Sequence, residues 1–321
     1  SYFFLGTISG TAGDLKKGVE CLERSLKIAL DNSLTEIALR AYNNLGSSFG
    51  VEDFERRLEY YEKGYELAKK AGHIYFHSWL GGNLAEAYID MGEMNKGVLL
   101  AEESVTLDRK TNYVFHLPLS LDLLGYAYHV LGEWDKAEQY YQEAFNNSQK
   151  LKDFQSLSYC YGSFGLLHFD KGEYLKAREF FEKAYEVCEK VRAKSYAMWY
   201  SQGIIRACIE LGEFEKAKNL LDGLKEFALE KKSKGGIARN GALTAMLLRA
   251  QKKWNESIEF FEKSLQEHEA LNARRWDVYR FAKIVLCEYA RVYLERDQEG
   301  DREKADKLLN LSLIHISEPT R

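Results

Sequence analysis

The feature of this chain that most constrains its fold is the segment Gly-Glu-aromatic-x-Lys-Ala, which recurs every forty residues. It occupies 132–137, 172–177 and 212–217. Glycine favours the left-handed backbone that ends a helix, and an acidic residue favours the start of the next helix. The segment therefore predicts a turn between two helices. A fixed period of this length predicts a stack of helical hairpins.

Weaker copies of the segment continue the same register in both directions. They lie at 13–18, 52–57, 92–97, 252–257 and 300–305, the last displaced by a short acidic insertion at 297–299. These copies predict an all-α fold, a right-handed α-solenoid superhelix of about eight stacked antiparallel helix-turn-helix hairpins. We expect one solenoid domain over 1–313, with repeats at about 1–31, 34–71, 74–111, 114–151, 154–191, 194–231, 235–271 and 274–313.

Small and large side chains alternate at fixed places around each turn. A small residue follows an apolar one near the end of most first helices, as in Leu45-Gly46. After the turn, an alanine is followed four residues later by a large side chain, as in Ala177 and Phe181. Spacings of three and four residues place side chains on one face of a helix. We expect the small residue to let the two helices approach closely and the large side chain to fill the adjoining space.

Composition favours a helical protein and excludes several partners. Only two prolines, Pro118 and Pro319, occur in 321 residues, which favours helix. The net charge of -4 gives no general attraction to nucleic acid or to anionic membranes, and no apolar run is long enough to span a bilayer. Five scattered cysteines have neither CxxC nor zinc-ligand spacing. We expect reduced thiols, a cytoplasmic location, and no direct contact with nucleic acid or membrane.

From Ser1 to about Leu311 the repeats resemble the tetratricopeptide repeat family. Their period of about 40 exceeds the usual period of about 34 residues, which adds nearly a turn to each helix. Such long repeats are similar to those of bacterial and archaeal signalling proteins, where they follow an ATPase or cyclase domain or accompany a helix-turn-helix module. They also look like the repeats of eukaryotic scaffold proteins that hold extended peptides. The resemblance implies a protein or extended peptide as partner and an upstream ATPase, cyclase or DNA-binding domain.

No catalytic constellation accompanies the repeats. The chain has no phosphate loop, HExxH segment or EF-hand loop. A GxSxG string at 46–50 falls inside the predicted first helix of the second repeat, whereas a nucleophile elbow needs a strand before its helix. His73 and His77 have metal-ligand spacing, but no carboxylate or cysteine joins them in sequence, which favours a surface pair. We expect no enzyme activity, no catalytic residue, no metal and no cofactor.

The resemblance also gives candidate ligand-binding residues. In this family the first helix of each hairpin lines the concave face, and five positions around its small residue point into the groove. Those positions, carried onto this chain, include Arg40, Asn44, Trp79, Asn83, Glu86, Asp122, Tyr126, Tyr159, Trp199, Gln202, Arg206, Arg239, Arg249 and Arg291. The position six residues before the small residue is aromatic in the middle repeats. These rings line the groove or pack between repeats, and the sequence leaves both alternatives open.

The early repeats carry asparagine in the predicted groove. Asn44 and Asn83 occupy equivalent positions in adjacent repeats. An asparagine side chain offers both a donor and an acceptor, so it can bracket the backbone amide of a peptide. The resemblance implies that role for these two residues only, because later repeats have other residues there. Next to them, Gly81-Gly82 either opens a pocket in the groove wall or bends the helix.

The late repeats carry arginine instead. Arg206, Arg239, Arg249 and Arg291 lie at or near the predicted concave positions. Arginine on such a surface suits carboxylates or phosphates. The alternative is ordinary solvated charge paired with nearby Glu210 and Glu288. The lysine and asparagine set of a chaperone-binding carboxylate clamp is missing, so a co-chaperone role is not expected.

These observations lead to one main functional expectation. We expect a protein- or peptide-binding scaffold, the sensor or interaction region of a larger signalling or regulatory protein, with its ligand on the concave face. The alternative is a free-standing scaffold that self-associates through convex faces or stack ends. Because the chain opens inside a repeat-like pattern, we expect it to be part of a longer protein. Residues 314–321 break the helical pattern and are predicted to be a non-native or disordered tail.

Overall fold

The computed structural model describes residues 15–49, 54–269 and 283–317. Within these ranges every regular element is an α-helix, and fifteen helices follow one another along the chain. The predicted all-α fold of helical hairpins is confirmed. Residues 1–14, where the first helix of the first repeat is expected, lie outside the described part. So do 50–53 and 270–282, which fall within predicted repeats two, seven and eight.

The chain divides into two compact units, unit 1 over Ser1–Ala127 and unit 2 over Tyr128–Arg321. The helices up to this division are α1 Leu15–Asp31, α2 Thr35–Ser48, α3 Phe54–Lys70, α4 Ile74–Asp90, α5 Met94–Lys110 and α6 Leu117–Val130, the last of which contains the division. The helices after it are α7 Trp134–Leu151, α8 Phe154–Asp170, α9 Tyr174–Lys190, α10 Lys194–Glu210, α11 Phe214–Glu230, α12 Lys234–Ala250, α13 Trp254–Glu269, α14 Lys283–Arg296 and α15 Asp301–Ser317. The even-numbered helices are the first helices of the hairpins.

The Gly-Glu segment forms the turn that the sequence predicts. Gly132 and Gly172 have φ of 81° and 76°, in the left-handed region where a side chain is strained. The backbone N–H of Glu133 donates to the carbonyl of Tyr128 at 2.9 Å, which closes the end of the first helix. The Glu133 carboxylate makes no capping hydrogen bond and instead pairs with Lys136. The lysine of the motif thus neutralises the glutamate within the first turn of the second helix.

Most turns that join one hairpin to the next use the same left-handed backbone at a residue other than glycine, although the turn between α3 and α4 has Gly72. Asn112, Lys152, Arg192 and Lys232 have φ of 51°, 54°, 59° and 51°. This conformation costs a residue with a side chain about 1–2 kcal/mol. The forty-residue period therefore appears twice in the backbone, mostly at glycines inside hairpins and mostly at polar residues between them, with Lys252 and Gly72 as the exceptions.

Glycines hold aromatic rings where helices meet. A methyl group added at Gly165 of α8 would lie 2.7 Å from the ring of Phe181, and one added at Gly203 of α10 would lie 2.8 Å from it. In α2, Gly46 is in similarly close contact with Tyr61. Real side chains are almost never this close, so a larger residue at these positions would force the helices apart. The predicted role of the small residue is confirmed.

Gly81 and Gly82 are buried within an unbroken α4. A methyl group at Gly81 would lie 3.1 Å from the Ser104 hydroxyl, and one at Gly82 would lie 3.7 Å from Leu123. Both positions are therefore packed against neighbouring helices.

The last helix extends further than the sequence suggests. The backbone of α15 is helical to Ser317, although a tail is expected from residue 314. Residues 318–321 lie outside the described part. The non-native origin of the tail stays a prediction.

Candidate functional site

Three asparagines of unit 1 link α2 to α4. The side-chain amide of Asn83 donates to Oδ1 of Asn43 at 2.7 Å, and the amide of Asn43 donates to Oδ1 of Asn44 at 3.4 Å. Asn43 is buried, whereas Asn44 and Asn83 are half-buried. The two asparagines predicted from the sequence are therefore brought together, but through a third that was not predicted. The three side chains therefore hydrogen-bond to one another, while Asn44 and Asn83 remain partly exposed.

Trp79 of α4 is half-buried in an aromatic cluster of unit 1. Its ring stacks on Phe76 with centroids 5.9 Å apart and lies 6.3 Å from the ring of His116, in the next repeat. The exposed guanidinium of Arg40 lies 5.6 Å above Phe76 and forms an ion pair with Glu36. At Trp79, the predicted aromatic ladder therefore packs against a neighbouring repeat.

A buried hydrogen-bond cluster links α4, α5 and α6 beside Trp79. Asp108 is 1% exposed; its Oδ1 accepts from Ser78 at 2.6 Å, and its Oδ2 accepts from Ser120 at 2.5 Å and lies 2.8 Å from Nδ1 of His116. A catalytic triad needs its serine on Nε2, opposite the aspartate. Here Ser120 and Asp108 both contact Nδ1. The cluster is therefore a structural link and not an activated nucleophile.

The remaining unit 1 candidates have protein partners. Glu86 forms an ion pair with Arg57 at 3.6 Å while 45% of its side chain is exposed. The hydroxyl of Tyr126 donates to Asp90 at 3.4 Å. Asp122 is half-buried on α6. These residues lie on first helices, as predicted, but none is an isolated polar group that would demand a ligand.

The first helices of unit 2 have an open aromatic face. Trp199 and Tyr196 of α10 are each 47% exposed. Tyr159 of α8 meets Tyr196 edge-on, with ring centroids 5.8 Å apart. Gln202 is half-buried and follows Trp199 by three residues, so it lies one helical turn further along the same face. At Trp199, the predicted ladder is therefore open surface, in contrast to Trp79.

Arg249 of α12 is buried in ion pairs, with only 4% of its side chain exposed. Its Nη1 donates to the two carboxylate oxygens of Glu295 at 2.7 and 2.9 Å, and its Nη2 donates to Glu210 at 2.9 Å. Glu288 lies 3.5 Å from its Nε. The charged group is thus held between α10 and α14. Glu210 and Glu288 are partners, as one alternative expects, but Arg249 is buried rather than solvated.

Arg291 of α14 completes this arginine–glutamate network, which we define as Glu210, Arg249, Glu288, Arg291 and Glu295. Its Nη1 and Nη2 donate to Glu210 at 2.9 and 3.1 Å, and its Nε donates to Glu295 at 2.7 Å. Burial raises the pKa of Glu288 in spite of the arginines beside it. The network joins three helices through charges that mostly satisfy one another.

Arg206 precedes Glu210 by one helical turn on α10 and differs from both arginines of the network. Its guanidinium lies over the ring of Phe169, 4.2 Å from the centroid. No hydrogen bond or ion pair joins it to any other residue of the described ranges. Burial lowers the pKa of Arg206, and the carboxylates of Glu288 and Asp170 oppose that shift from a distance. Arg206 is therefore a half-buried cation with no carboxylate in direct contact.

The remaining candidate, Arg239 of α12, is half-buried. Sequence reasoning did not select Asn43, Tyr196 or Glu295. Glu295 could have been predicted as a partner of Arg291, because the two residues are four apart on a helix, which is the spacing of an intrahelical ion pair. The others depend on contacts between residues that are distant in sequence.

The other features that the sequence raises are a metal site, a membrane span and the GxSxG string, and they can be compared with the described part of the chain. No group of three or more histidine, cysteine, aspartate or glutamate side chains there could hold a metal ion. No helix in those ranges is both long and apolar enough to cross a membrane. His77 lies 3.3 Å from Glu103, and burial lowers its pKa. Ser47 of the GxSxG string is helical and contacts the hydroxyl of Tyr61 at 3.1 Å, whereas Gly50 lies outside the described residues.

Three sequence models of the tetratricopeptide repeat match this chain. They cover residues 1–32, 120–146 and 157–192. No curated protein sequence matches it. The matched segments fall in predicted repeats one, four and five, and they support the repeat assignment.

Several solved structures share the fold. A Rap protein complexed with Competence and Sporulation Factor has a TM-score of 0.75 at 14% identity, covering 99% of this chain and 88% of that chain. The Rap conjugation gene regulator of the plasmid pLS20, in complex with the Phr* peptide, has a TM-score of 0.73 at 17% identity, covering 89% and 77%. The apo quorum sensor NprR from B. thuringiensis has a TM-score of 0.57 at 16% identity, covering 99% and 89%. At these identities the likeness shows the fold alone.

Proposed function

Because this chain belongs to the tetratricopeptide repeat family, we propose that it is a non-catalytic scaffold that binds an extended peptide on the first helices of unit 2. The observation that carries this proposal is the face of α10. It presents a half-exposed indole at Trp199, an amide at Gln202 and a cation at Arg206. Exposed aromatic side chains beside polar groups are typical of binding surfaces.

The dimensions of this face suit an extended chain. Seven residues separate Trp199 from Arg206, which is about 10 Å along a helix. An extended peptide covers that distance with about three residues. Gln202, between them, can accept from and donate to one peptide unit. The face therefore offers an apolar contact, an amide contact and a charge in the order in which a short peptide segment could meet them.

Two similar folds support a peptide as the ligand class. One is the Rap regulator that was solved with the Phr* peptide, and another is the Rap protein solved with Competence and Sporulation Factor. The quorum sensor NprR has a related fold. We accordingly propose that this scaffold is the sensor or interaction region of a larger signalling or regulatory protein. A cytoplasmic location, reduced thiols and an upstream ATPase, cyclase or DNA-binding domain stay predictions.

The groove assignment can be tested with a soluble library of random octapeptides that have free carboxyl termini. Peptides retained by the full chain would be identified by mass spectrometry, and their dissociation constants measured by calorimetry. We expect Trp199→Ala to weaken binding about thirtyfold, since an aromatic anchor contributes about 2 kcal/mol or more. Trp134→Ala is the matched control, because Trp134 is 37% exposed on a second helix. Equal loss in both variants, or no loss in Trp199→Ala, would contradict the proposal.

A second candidate is self-association through an exposed apolar surface formed by α11, α12 and α13. Leu229 of α11 is 65% exposed and, with Ile237 and Phe260, lines a cavity of about 230 Å³. Exposed apolar surface of this kind can also form an interface between copies of a chain. Light scattering at increasing concentration distinguishes the two candidates. A mass that stays monomeric would remove self-association, and dimerisation abolished by Leu229→Glu would favour it.

A further inference from the structure

We propose that Arg206 is the anchor for a carboxylate of the bound peptide, so that this scaffold selects peptides with a free carboxylate next to the residue that contacts Trp199. This inference rests on the proposed function and adds the chemical class of the ligand group. It begins from one feature of unit 2, a half-buried arginine that has no direct acidic partner among the residues that the structure describes.

The acidic side chains around Arg206 are occupied by other residues. Glu210 accepts from Arg249 and Arg291, both at 2.9 Å. Asp170 lies 3.0 Å from Nε2 of His129. Glu288 is nearest to Arg249, at 3.5 Å. None of these carboxylates comes within ion-pair distance of Arg206, so no acidic side chain within residues 15–49, 54–269 and 283–317 pairs with its guanidinium.

Phe169 contacts the guanidinium without supplying a hydrogen-bond acceptor. The guanidinium carbon lies over the ring, 4.2 Å from its centroid, which is a cation–π contact. A guanidinium donates its hydrogen bonds in its own plane, from its edge. The contact with Phe169 therefore does not use these donors in a conventional hydrogen bond. A carboxylate is planar and matches that edge with two parallel hydrogen bonds.

Partial burial of the Arg206 guanidinium favours binding of a ligand carboxylate. A cation removed from water without a counterion is costly, and here the cost is visible as a lowered pKa. A ligand carboxylate would offset that cost, and the pair would be stronger than on an open surface because it is partly shielded from water. Trp199, two helical turns away on the same face, would then hold an apolar residue of the same ligand.

The surrounding charge favours a carboxylate over a phosphate. Glu288, Asp170 and Glu210 are the acidic groups that act on Arg206 through space. A dianion would be repelled by these carboxylates about twice as strongly as a monoanion, whereas Arg206 offers a single positive charge. A single negative charge is therefore the better match. A phosphorylated peptide is accordingly an outcome of the test that would oppose this inference.

The experiment uses one peptide retained by the wild-type chain, synthesised with its carboxyl terminus free, with that terminus amidated, and with each Asp or Glu changed to Asn or Gln. A phosphoserine form of the same peptide is included. Binding of each form is measured to the wild type and to Arg206→Gln, Arg206→Lys and Arg192→Gln. The last variant removes one positive charge at an exposed turn and controls for net charge.

We expect one carboxylate of the peptide to account for a ten- to hundredfold change in affinity, the range of a charge-assisted hydrogen bond. Its neutral form should bind wild type and Arg206→Gln equally. Arg206→Lys should lose part of this affinity, because it keeps the charge without the planar fork, and Arg192→Gln should lose none. The form that binds weakly shows whether the carboxylate is terminal or on a side chain.

Several outcomes would overturn the inference. The first is an equal loss in Arg206→Gln for the acidic and the neutral forms, and the second is tighter binding of the phosphoserine form through Arg206. Circular dichroism of Arg206→Lys and Arg206→Gln separates loss of binding from loss of fold. If binding depends on Trp199 but not on Arg206, only this inference fails. If Trp199→Ala has no effect on any retained peptide, the proposed function itself fails.

Discussion

In unit 1 the first helices of successive hairpins are joined by amides, hydroxyls and one histidine–aspartate contact, whereas in unit 2 they are joined by arginines and glutamates. The unit 1 links are short and closed, as with Asn83 and Asn43 at 2.7 Å. The unit 2 network is larger, yet it leaves Arg206 outside it. The amides and hydroxyls of unit 1 form hydrogen bonds with one another, whereas the arginines and glutamates of unit 2 share partners. Unit 2, which is joined by ions, is therefore also the unit in which Arg206 has no carboxylate in direct contact among the described residues.

The largest expected effect comes from removing the centre of the unit 2 network. Arg249→Ala removes the buried cation of the network and leaves Arg291 to compensate Glu210 and Glu288 as well as Glu295. We expect a loss of about 3 kcal/mol in the free energy of unfolding. Because repeat proteins unfold in parts, hydrogen exchange should localise the loss to α10, α12 and α14. Loss of protection confined to unit 1, or none at all, would contradict the role of the network.

The matching change in unit 1 should cost less, because the groups left behind are neutral or can be neutral. Asp108→Ala removes the acceptor of Ser78 and Ser120, and we expect a loss of about 2–3 kcal/mol in the free energy of unfolding. Urea denaturation with hydrogen exchange would measure it. If Asp108→Ala costs more than Arg249→Ala, the contrast between neutral and ionic links is wrong.

The asparagine link should contribute the least of the three. Asn83→Ala removes one hydrogen bond from half-buried surroundings, for an expected loss of about 1 kcal/mol. Thermal denaturation should show a shift of only a few degrees. A loss several times larger would mean that Asn43 and Asn44 depend on Asn83 to hold the whole surface.

Acid should weaken unit 1 first, by a small amount. Burial lowers the pKa of His77 below its ordinary value of 6.5, so the folded state favours the neutral ring. Stability from this residue is present above pH 6.5 and is lost as the pH falls below it. The buried carboxyl of Glu288 in unit 2 has a raised pKa, and its protonation on acidification favours the folded state. Hydrogen exchange of α4 at pH 7 and pH 5 should show the loss, and His77→Gln should reduce it.

The turns and the packing of the hairpins could be predicted from the sequence because they depend on neighbouring residues. The motif glycine requires a left-handed backbone, and that requirement is visible in one segment. The burial of Arg249 and its contact with Glu295 could not be predicted, because Glu295 is 46 residues away. Trp79 and Trp199 occupy the same position in their repeats, yet one is packed against His116 and the other is open. Exposure at a repeated position depends on what the adjoining hairpins supply.

The ring of Phe181, held between Gly165 and Gly203, bears on how such a chain can change during evolution. Phe181 belongs to the fifth repeat, yet it requires the absence of a side chain in the sixth as well as in its own. The seventh repeat has Leu243 where the sixth has Gly203. Deleting the sixth repeat would bring that leucine against the ring. The fifth and sixth repeats are therefore coupled through this ring, and a deletion or exchange that separates them would have to change Phe181 as well.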